Sequence, residues 1–513
     1  VRSGSGAIET YTEIVVSPED DIEVRRVRVT NRSRQRREIE VTSYAEVVLA
    51  PPAADALHPA FSNLFVHTEI LRERRAILCT RRPRSRDEQS PWMLHLVAVH
   101  GVEPGEASYE TDRLRFLGRT RSTAAPLAMR ECAPLAGSEG SVLDPIVAIR
   151  HLVALDPEQV VTIDIVSGVA ETRDLAVSLV EKYQDRHLAD RVFDLAWTHS
   201  QVVLQQLNAT EAESQLYVRL ASPVIYANAS LRASADVLIK NRRGQSGLWG
   251  YAISGDLPIV LLQIADGANI DLVRQLVQAH AYWRLKGLAV DLVIWNEDHA
   301  GYRQQLQDQI MGLIASGIGA SLIDRPGGIF VRQAEQISSE DHILFQSVSR
   351  AVITDSRGTL AEQLDQRSPM EPRPPLLRPR RTHRPELAAA APPRPELILG
   401  NGLGGFTPDG REYVTTLTPE QVTPAPWVNV LANPHFGSVI SESGVAYTWS
   451  ENAHEFRLTP WHNDPVTDSG GEALYLRDEM SGQFWSPTPL PVRAAAPCVI
   501  RHGFGYSVFS ICS

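Results

Sequence analysis

A proline-rich segment divides the sequence into two parts that cannot share one continuous helix or strand. Nine prolines lie from Pro369 to Pro395, mixed with arginines and the alanine run Ala388–Ala391. Proline lacks the backbone N–H that helices and central strands require, and a segment this poor in large apolar residues cannot bury enough surface to fold. We therefore predict an extended linker over residues 361–395, the firmest domain boundary in the chain.

The sequence before residue 170 shows the two-residue periodicity of β-strands. Apolar and polar residues alternate over residues 39–47 and again over 161–165, as expected for strands with one buried face. The same alternation runs from Ile22 to Val29, but it slips by one residue at Arg25-Arg26, which predicts a β-bulge. Short strands separated by polar turns favour a β-sandwich.

The middle of the chain has a different pattern. Residues 171–215 contain few helix breakers and predict helices, whereas residues 255–335 alternate between strand and helix signals. The apolar runs Pro258–Ile264 and Leu288–Trp295 are typical of strands buried in a parallel sheet. The segment between them has one apolar helical face, so we expect a strand–helix–strand unit with parallel strands.

Composition excludes several classes of function. The net charge of −11 does not favour nucleic acid or an anionic membrane as a partner. No run of about 18 apolar residues exists in the sequence, so no membrane span is predicted. The four cysteines form no C-x-x-C pair, which argues against a disulfide framework or a zinc site, and we assign no metal ligand.

The C-terminal segment carries ordered motifs rich in glycine, proline and tryptophan. They are Asn401–Phe406, Asp409–Tyr413, Thr423–Asn429, Asn433–Gly437, Tyr447–Asn452, Arg457–Trp461 and Asn463–Pro465. In this order they resemble the opening of the supersandwich domain of glycoside hydrolase family 94, in the version found in cyclic β-1,2-glucan synthases. The segments His58–Phe61, Glu110–Arg113 and Ala279–Arg284 resemble other regions of the same synthases, so the resemblance covers most of the chain.

The resemblance implies a multidomain, mainly β architecture with four parts. We expect the C-terminal part of a first β-supersandwich over residues 1–170, a helical linker and α/β domain over 171–360, the Pro/Arg-rich linker over 361–395, and the N-terminal part of a second β-supersandwich over 396–513. The chain would then be an internal fragment of a longer enzyme. Because each partial sandwich has open strand edges, we expect the two to pair into one composite sandwich.

Catalysis is expected to lie elsewhere in that longer enzyme. Phosphorolysis of a glucan requires a carboxylic acid that protonates the glycosidic oxygen, and the resemblance places this acid in a helical barrel outside the present sequence. We therefore assign no catalytic residue and no cofactor. The resemblance implies a soluble fragment, inactive alone, held at the cytoplasmic face of the inner membrane through the parent protein.

One stretch combines the residue types that bind sugars. The candidate residues are Arg457, Trp461, Asn463 and Asp464. An aromatic ring packs on the CH face of a pyranose, while Arg, Asn and Asp hydrogen-bond its hydroxyl groups. The alternative is structural: Trp461 packs in the sandwich core, and Arg457 pairs with Glu451 or Glu455.

The most favoured function is thus carbohydrate binding and positioning within a glucosyltransferase/phosphorylase-type enzyme. The expected partners are β-1,2-glucan or a gluco-oligosaccharide and the remaining domains of the parent. Two alternatives stay open, a non-enzymatic scaffold that joins catalytic domains and a piece of a stand-alone β-glucan phosphorylase. The strand–helix block counts against the second, because simple phosphorylases have one sandwich and no such insert.

Overall fold

The computed structural model describes two compact units. The described residues are 2–5, 7–83, 85, 87–103, 105–130, 133–227, 229–298, 303–315, 321–365, 396–480, 482–493 and 496–511. One unit, here called the β unit, is built from residues 1–196 and 380–513, and the other, the α/β unit, from residues 197–379. The predicted extended linker is wrong over residues 361–365, which lie in a helix that runs from Leu360 to Asp365. The rest of the predicted linker, residues 366–395, lies outside the described residues.

The first part of the β unit consists of antiparallel strands and three short helices. The strands are β1 Arg2–Ser5, β2 Ile8–Val16, β3 Ile22–Asn31, β4 Arg37–Thr42, β5 Ala45–Glu46, β6 Val66–Leu71, β7 Ala76–Arg81, β8 Trp92–His100, β9 Ser108–Asp112, β10 Pro145–Leu155 and β11 Val160–Ala170, and the helices are α1 Pro52–Leu57, α2 Pro59–Asn63 and α3 Arg113–Leu117. Seven strands form one sheet in the order β1-β2-β3-β11-β8-β7-β6. In a second sheet, β4, β5 and β9 all pair with β10.

The central strands of the seven-stranded sheet are buried on both faces. Val97, Val161 and Ile163 on one face pack against Val147 and Ile149 of the second sheet. The opposite face packs against the next helix, α4 Arg173–Gln184. Alternate residues of the central strands therefore enter two different cores, since successive side chains of a strand point to opposite faces.

The β-bulge predicted at Arg25-Arg26 is wrong. Strand β3 pairs in unbroken register with both β2 and β11. Arg26 lies on the same face as Val24, where it is buried, and its guanidinium binds Asp164 (Nε to Oδ1, 2.7 Å) and Asp190. The apparent slip in the sequence arises because a buried ion pair takes a position that an apolar residue would normally occupy.

The other strand predictions in this region are confirmed. The alternation over 39–47 corresponds to β4 and β5, which lie along the same edge of β10 and are interrupted at Ser43-Tyr44. The alternation over 161–165 lies within β11. Helix α4 starts at the beginning of the segment 171–215, which has few helix breakers and was predicted to be helical. The Thr172 side chain caps it by accepting a hydrogen bond from the Leu175 amide.

The α/β unit contains the predicted parallel strands. Its elements, with the helices that lead into it, are α5 Arg186–Gln206, α6 Glu211–Ile225, α7 Ala235–Leu238, β12 Ile259–Ile264, α8 Ile270–Leu285, β13 Asp291–Asn296, α9 Arg303–Ala315, β14 Ile329–Gln333, α10 Ser339–Val348, β15 Ala351–Thr354 and α11 Leu360–Asp365. The sheet order is β14-β13-β12-β15, and all three pairings are parallel. Strand β15, only four residues long, and the helices α7, α10 and α11 are elements of this unit that the sequence patterns did not predict.

The C-terminal part of the β unit forms its own small sheets. Its strands are β16 Gly404–Phe406, β17 Glu412–Leu417, β18 Val428–Ala432, β19 Phe436–Ser441, β20 Ala446–Ser450, β21 Leu476–Arg477, β22 Phe484–Trp485, β23 Cys498–Gly503 and β24 Tyr506–Ile511. They pair as β16-β17-β23-β24, β18-β19-β20 and β21-β22. Among the described strands, none of these pairs with a strand from the first 170 residues.

The expected composite sandwich therefore takes a different form. The two β segments do belong to one compact unit, but no shared sheet connects them in the described part of the chain. Side-chain contacts connect them instead, together with a backbone hydrogen bond from the Thr120 amide to the Val466 carbonyl at 2.7 Å. The multidomain, mainly β architecture is confirmed. No helix in the described ranges is long and apolar enough to cross a membrane.

A buried histidine links the two sheets of the first β segment. His95 of β8 contacts the hydroxyl of Ser43 through Nε2 and that of Ser167 through Nδ1, both at 2.8 Å. Burial lowers the pKa of His95 to about 4, with a further contribution from the charge of Arg25. His95 is therefore neutral in the folded protein at pH 6, whereas in an unfolded chain it takes up a proton near pH 6.5.

Replacing this histidine should reduce the acid sensitivity of the β unit. Because the folded pKa lies below the unfolded value, the stability that depends on neutral His95 is present above pH 6.5 and is lost as the pH falls toward 4. The loss amounts to at most about 3 kcal/mol. We expect His95→Gln to flatten the fall in the urea midpoint between pH 6.5 and pH 4, as measured by circular dichroism.

The matched control for this measurement is His67→Gln, since His67 is an exposed histidine on β6 of the same sheet. This substitution should leave the pH dependence unchanged. An equal fall in wild type and His95→Gln would contradict the assignment of the acid sensitivity to His95.

Candidate functional site

The predicted sugar-binding residues lie in the segment that follows β20. Arg457 pairs through the backbone with Trp449 of that strand, and Trp461 pairs with Gly470. Asn463 has a positive φ of 48°, in the left-handed region that asparagine adopts more readily than most residues. We call residues 461–468 the Trp461 loop.

The Trp461 ring packs against other side chains. The ring of Tyr447 stacks on it at 5.2 Å with an interplanar angle of 17°, and the edge contact with His58 is at 6.2 Å. The guanidinium of Arg457 lies over the ring at 5.4 Å from its centroid. Trp461 is half-buried, so part of its surface still faces solvent.

Arg457 does not make the ion pair that the structural alternative expected. Glu451 instead pairs with His435, and Glu455 pairs with His454. The Nε atom of Arg457 is buried and has no hydrogen-bond partner among the described residues. The contact between its guanidinium and Trp461 is therefore the main interaction that the structure shows for this side chain.

Asp464 binds an arginine from the other β segment. Its Oδ1 and Oδ2 atoms accept hydrogen bonds from Nη1 and Nη2 of Arg113 at 2.8 and 3.0 Å, and Oδ1 also accepts from the amides of Val466 and Thr467. Burial alone would raise the pKa of Asp464, but the hydrogen bonds from Arg113 and Thr467 outweigh it and lower the pKa to about 2. Asp464 is thus ionised at neutral pH, and both of its oxygens contact the protein.

Arg113 also binds two further carboxylates. Its Nε lies 2.9 Å from Glu46 and its Nη1 lies 2.9 Å from Asp144, which also accepts a hydrogen bond from Asn63 at 3.1 Å. Burial raises the pKa of Asp144, and the opposing effect of Arg113 does not reverse this shift. The pKa values of the two aspartates that bind this guanidinium therefore shift in opposite directions.

A second buried arginine fixes the far end of the Trp461 loop. Nη2 of Arg119 lies 3.0 Å from both Glu442 and Asp468, and all three side chains are at least 90% buried. Between the two arginines, Val466 packs in an apolar cluster with Phe116. The loop is therefore held by ion pairs at Asp464 and Asp468 and by the apolar contact of Val466 between them.

Two cavities of about 380 Å³ each lie on either side of this loop. The first has an aromatic and apolar wall that includes Tyr447, Trp461 and Val428. The second is polar and includes Glu46, Asp144 and Arg113 among its lining residues. Residues 462–465 line both cavities, so this part of the loop forms the wall between them. Both volumes fall within the range of small-molecule sites, about 300–1,000 Å³.

The structure thus places all four predicted residues in the segment that follows β20 but gives them different contacts. Trp461, Asn463 and Asp464 line a cavity. Asp464 also binds Arg113, and Arg457 packs on Trp461. Sequence reasoning did not predict a site role for Arg113, Glu46, Asp144 and Asn63, which are among the residues that line the second cavity. Within the described residues, no group of three or more His, Cys, Asp and Glu side chains is arranged to hold a metal ion.

The comparison with protein families identifies the kind of domain that the β unit contains. The model of the glycosyl hydrolase 94 supersandwich domain matches residues 2–186 and 411–512. These ranges make up more than half of the chain and include α3 as well as the Trp461 loop. The chain belongs to the glycosyl hydrolase 94 supersandwich family. This confirms the resemblance inferred from the motifs.

Individual relatives support the family assignment. The cyclic beta-(1,2)-glucan synthase NdvB of Rhizobium meliloti (strain 1021) is 35% identical over 98% of this chain, which corresponds to 18% of that protein. The N,N'-diacetylchitobiose phosphorylase of Vibrio proteolyticus is 38% identical over 21% of this chain and 13% of its own length. The solabiose phosphorylase of Paenibacillus borealis is 28% identical over 34% of this chain and 22% of its own length. The chain thus spans less than a quarter of each of these relatives.

In this supersandwich chain, Arg113 should be required to hold the Trp461 loop. Removing the guanidinium in Arg113→Ala leaves the carboxylates of Asp144 and Asp464 partly buried without their counter-ion. Breaking a buried ion pair in this way costs about 3–5 kcal/mol. We expect a lower urea midpoint and faster proteolytic cleavage within the Trp461 loop, as mapped by mass spectrometry.

The matched control is Arg115→Ala on the same helix. Arg115 is exposed and lies 4.0 Å from Asp112, a surface pair worth at most about 1 kcal/mol. If both variants were cleaved at the wild-type rate, Arg113 would not be the residue that holds the loop.

Proposed function

We propose that this chain is a carbohydrate-binding and positioning region of a cyclic β-1,2-glucan synthase. The proposal is supported by the family assignment and by the relative NdvB, whose name states that activity and which matches nearly the whole chain. In the proposed parent enzyme, glucosyltransferase and phosphorylase-type domains carry out the chemistry. This region binds or guides the glucan and is inactive alone.

The observation that carries the proposal is the first cavity beside the Trp461 loop. It combines an aromatic pair, Tyr447 and Trp461, with the amide side chain of Asn463. A sugar offers an apolar CH face and a rim of hydroxyl groups, and this cavity presents an aromatic surface and an amide that both donates and accepts hydrogen bonds. Its volume is that of a small-molecule site.

The four candidate residues are given two kinds of role in this proposal. Trp461 and Asn463 contact the sugar. Arg457 and Asp464 are positioning residues: Arg457 fixes the orientation of the Trp461 ring, and Asp464 fixes the loop through Arg113. Such pre-organisation lowers the entropy that a binding site loses when the sugar binds.

The location of the parent follows from the same proposal. NdvB is described as a synthase, and we propose that this chain, like the corresponding part of such an enzyme, works at the cytoplasmic face of the inner membrane. The remaining domains of the parent are its expected partners.

A scaffold function is the second candidate, and a specific observation favours it. Tyr447 and Arg457 both contact the Trp461 ring, and the contacts of Arg113 and Arg119 connect the two β segments. These contacts are those of a packing element. A piece of a stand-alone phosphorylase is less favoured, because the phosphorylases match 21% and 34% of the chain, whereas NdvB matches 98%.

Calorimetric titration of the 513-residue chain with linear β-1,2-gluco-oligosaccharides distinguishes these functions. We expect binding that is at least about tenfold weaker in Trp461→Ala, because the aromatic contact is lost. Trp461→Phe should retain most of the affinity. Cello-oligosaccharides serve as the linkage control.

The matched control is Trp485→Ala, since Trp485 is a partly exposed tryptophan on β22 and does not line either cavity. This variant should bind like wild type. A chain that is folded by circular dichroism and binds none of these sugars would refute the carbohydrate-binding role and favour the scaffold.

A further inference from the structure

The second cavity has a chemistry that differs from that of the first. Its wall is formed by α1, α2, the Arg113 contacts and residues 462–465. Four carboxylates line it, those of Glu46, Asp55, Asp144 and Asp464, together with the guanidinium of Arg113. No aromatic ring of tryptophan, tyrosine or phenylalanine is among its lining residues.

This set of groups disfavours anions and is not arranged to hold a metal ion. An anion would be repelled, because four carboxylates and one guanidinium leave the lining with excess negative charge. In the described part of the chain, no group of three or more His, Cys, Asp and Glu side chains could hold a metal ion. A neutral polyol avoids the repulsion that an anion meets, because its hydroxyl groups donate hydrogen bonds to carboxylates without adding charge.

The carboxylates are also held in place before any ligand arrives. Glu46 accepts hydrogen bonds from Arg113 and from the Tyr44 hydroxyl, and Asp144 accepts from Arg113 and Asn63. A carboxylate oxygen with one such partner still has a lone pair for a hydroxyl donor. These side chains therefore form a pre-organised set of acceptors.

We propose that the second cavity is a separate saccharide subsite, and that one glucan chain crosses the wall formed by residues 462–465 to occupy both cavities. This inference rests on the proposed carbohydrate-binding function. It adds that the region measures chain length: a short sugar fills the aromatic cavity, while a longer one also reaches Asp55 and Asn63 in the acidic cavity. Asn463, which lines both cavities, contacts the chain where it crosses the wall.

The test compares a β-1,2-linked disaccharide with a hexasaccharide by calorimetry on the full chain. Wild type should bind the hexasaccharide at least about tenfold more tightly. The double variant Asp55→Ala/Asn63→Ala should reduce hexasaccharide affinity to the disaccharide level and leave disaccharide affinity unchanged. Neither Asp55 nor Asn63 forms an ion pair with Arg113, so the variant keeps all three ion pairs of Arg113 and removes one hydrogen bond to Asp144.

Glu73→Gln provides the matched control, since Glu73 is an exposed carboxylate outside both cavities. It should have no effect on either sugar. Equal affinity of wild type for the two sugars, or a double variant that binds the hexasaccharide like wild type, would overturn the second subsite while leaving the first intact. Binding of neither sugar would overturn both this inference and the proposed function.

Discussion

The contacts of Arg113 hold together parts of the β unit that are distant in sequence. One guanidinium binds Glu46, Asp144 and Asp464, and the last of these is 351 residues away. A buried ion pair gains little net stability, because desolvation of the charges offsets most of the attraction. Its effect is on geometry, since an alternative placement of the Trp461 loop would leave a buried charge without a partner.

Local sequence patterns predict many of the strands and helices in both units. Strands β4, β11, β12 and β13 and helices α4 and α8 follow from periodicity and capping, which depend on neighbouring residues. The bulge prediction failed because Arg26 takes an apolar position, and only its partners Asp164 and Asp190 make that position tolerable. Strand β15 was missed because four residues carry too little periodicity.

The candidate site shows the same limit. The local cluster from Arg457 to Asp464 was visible in the sequence because sugar-binding residue types are concentrated there. That Asp464 is bound by Arg113, or that residues 462–465 face a second cavity, depends on contacts between segments hundreds of residues apart. No spacing rule within one sequence reports such contacts. The resemblance did include the segment Glu110–Arg113, but it gave no role for the arginine.

The β unit is discontinuous, because residues 197–379 form a different unit between its two segments. During synthesis, Arg113 leaves the ribosome long before Asp464 exists. At about 5–20 residues per second, the intervening 351 residues take roughly 20–70 s to synthesise. For that time the carboxylates of Glu46 and Asp144 are the partners available to the guanidinium from the first segment. These two contacts therefore give the buried guanidinium partners and hold it in place until the second segment arrives, which makes them early determinants of folding as well as features of the finished protein.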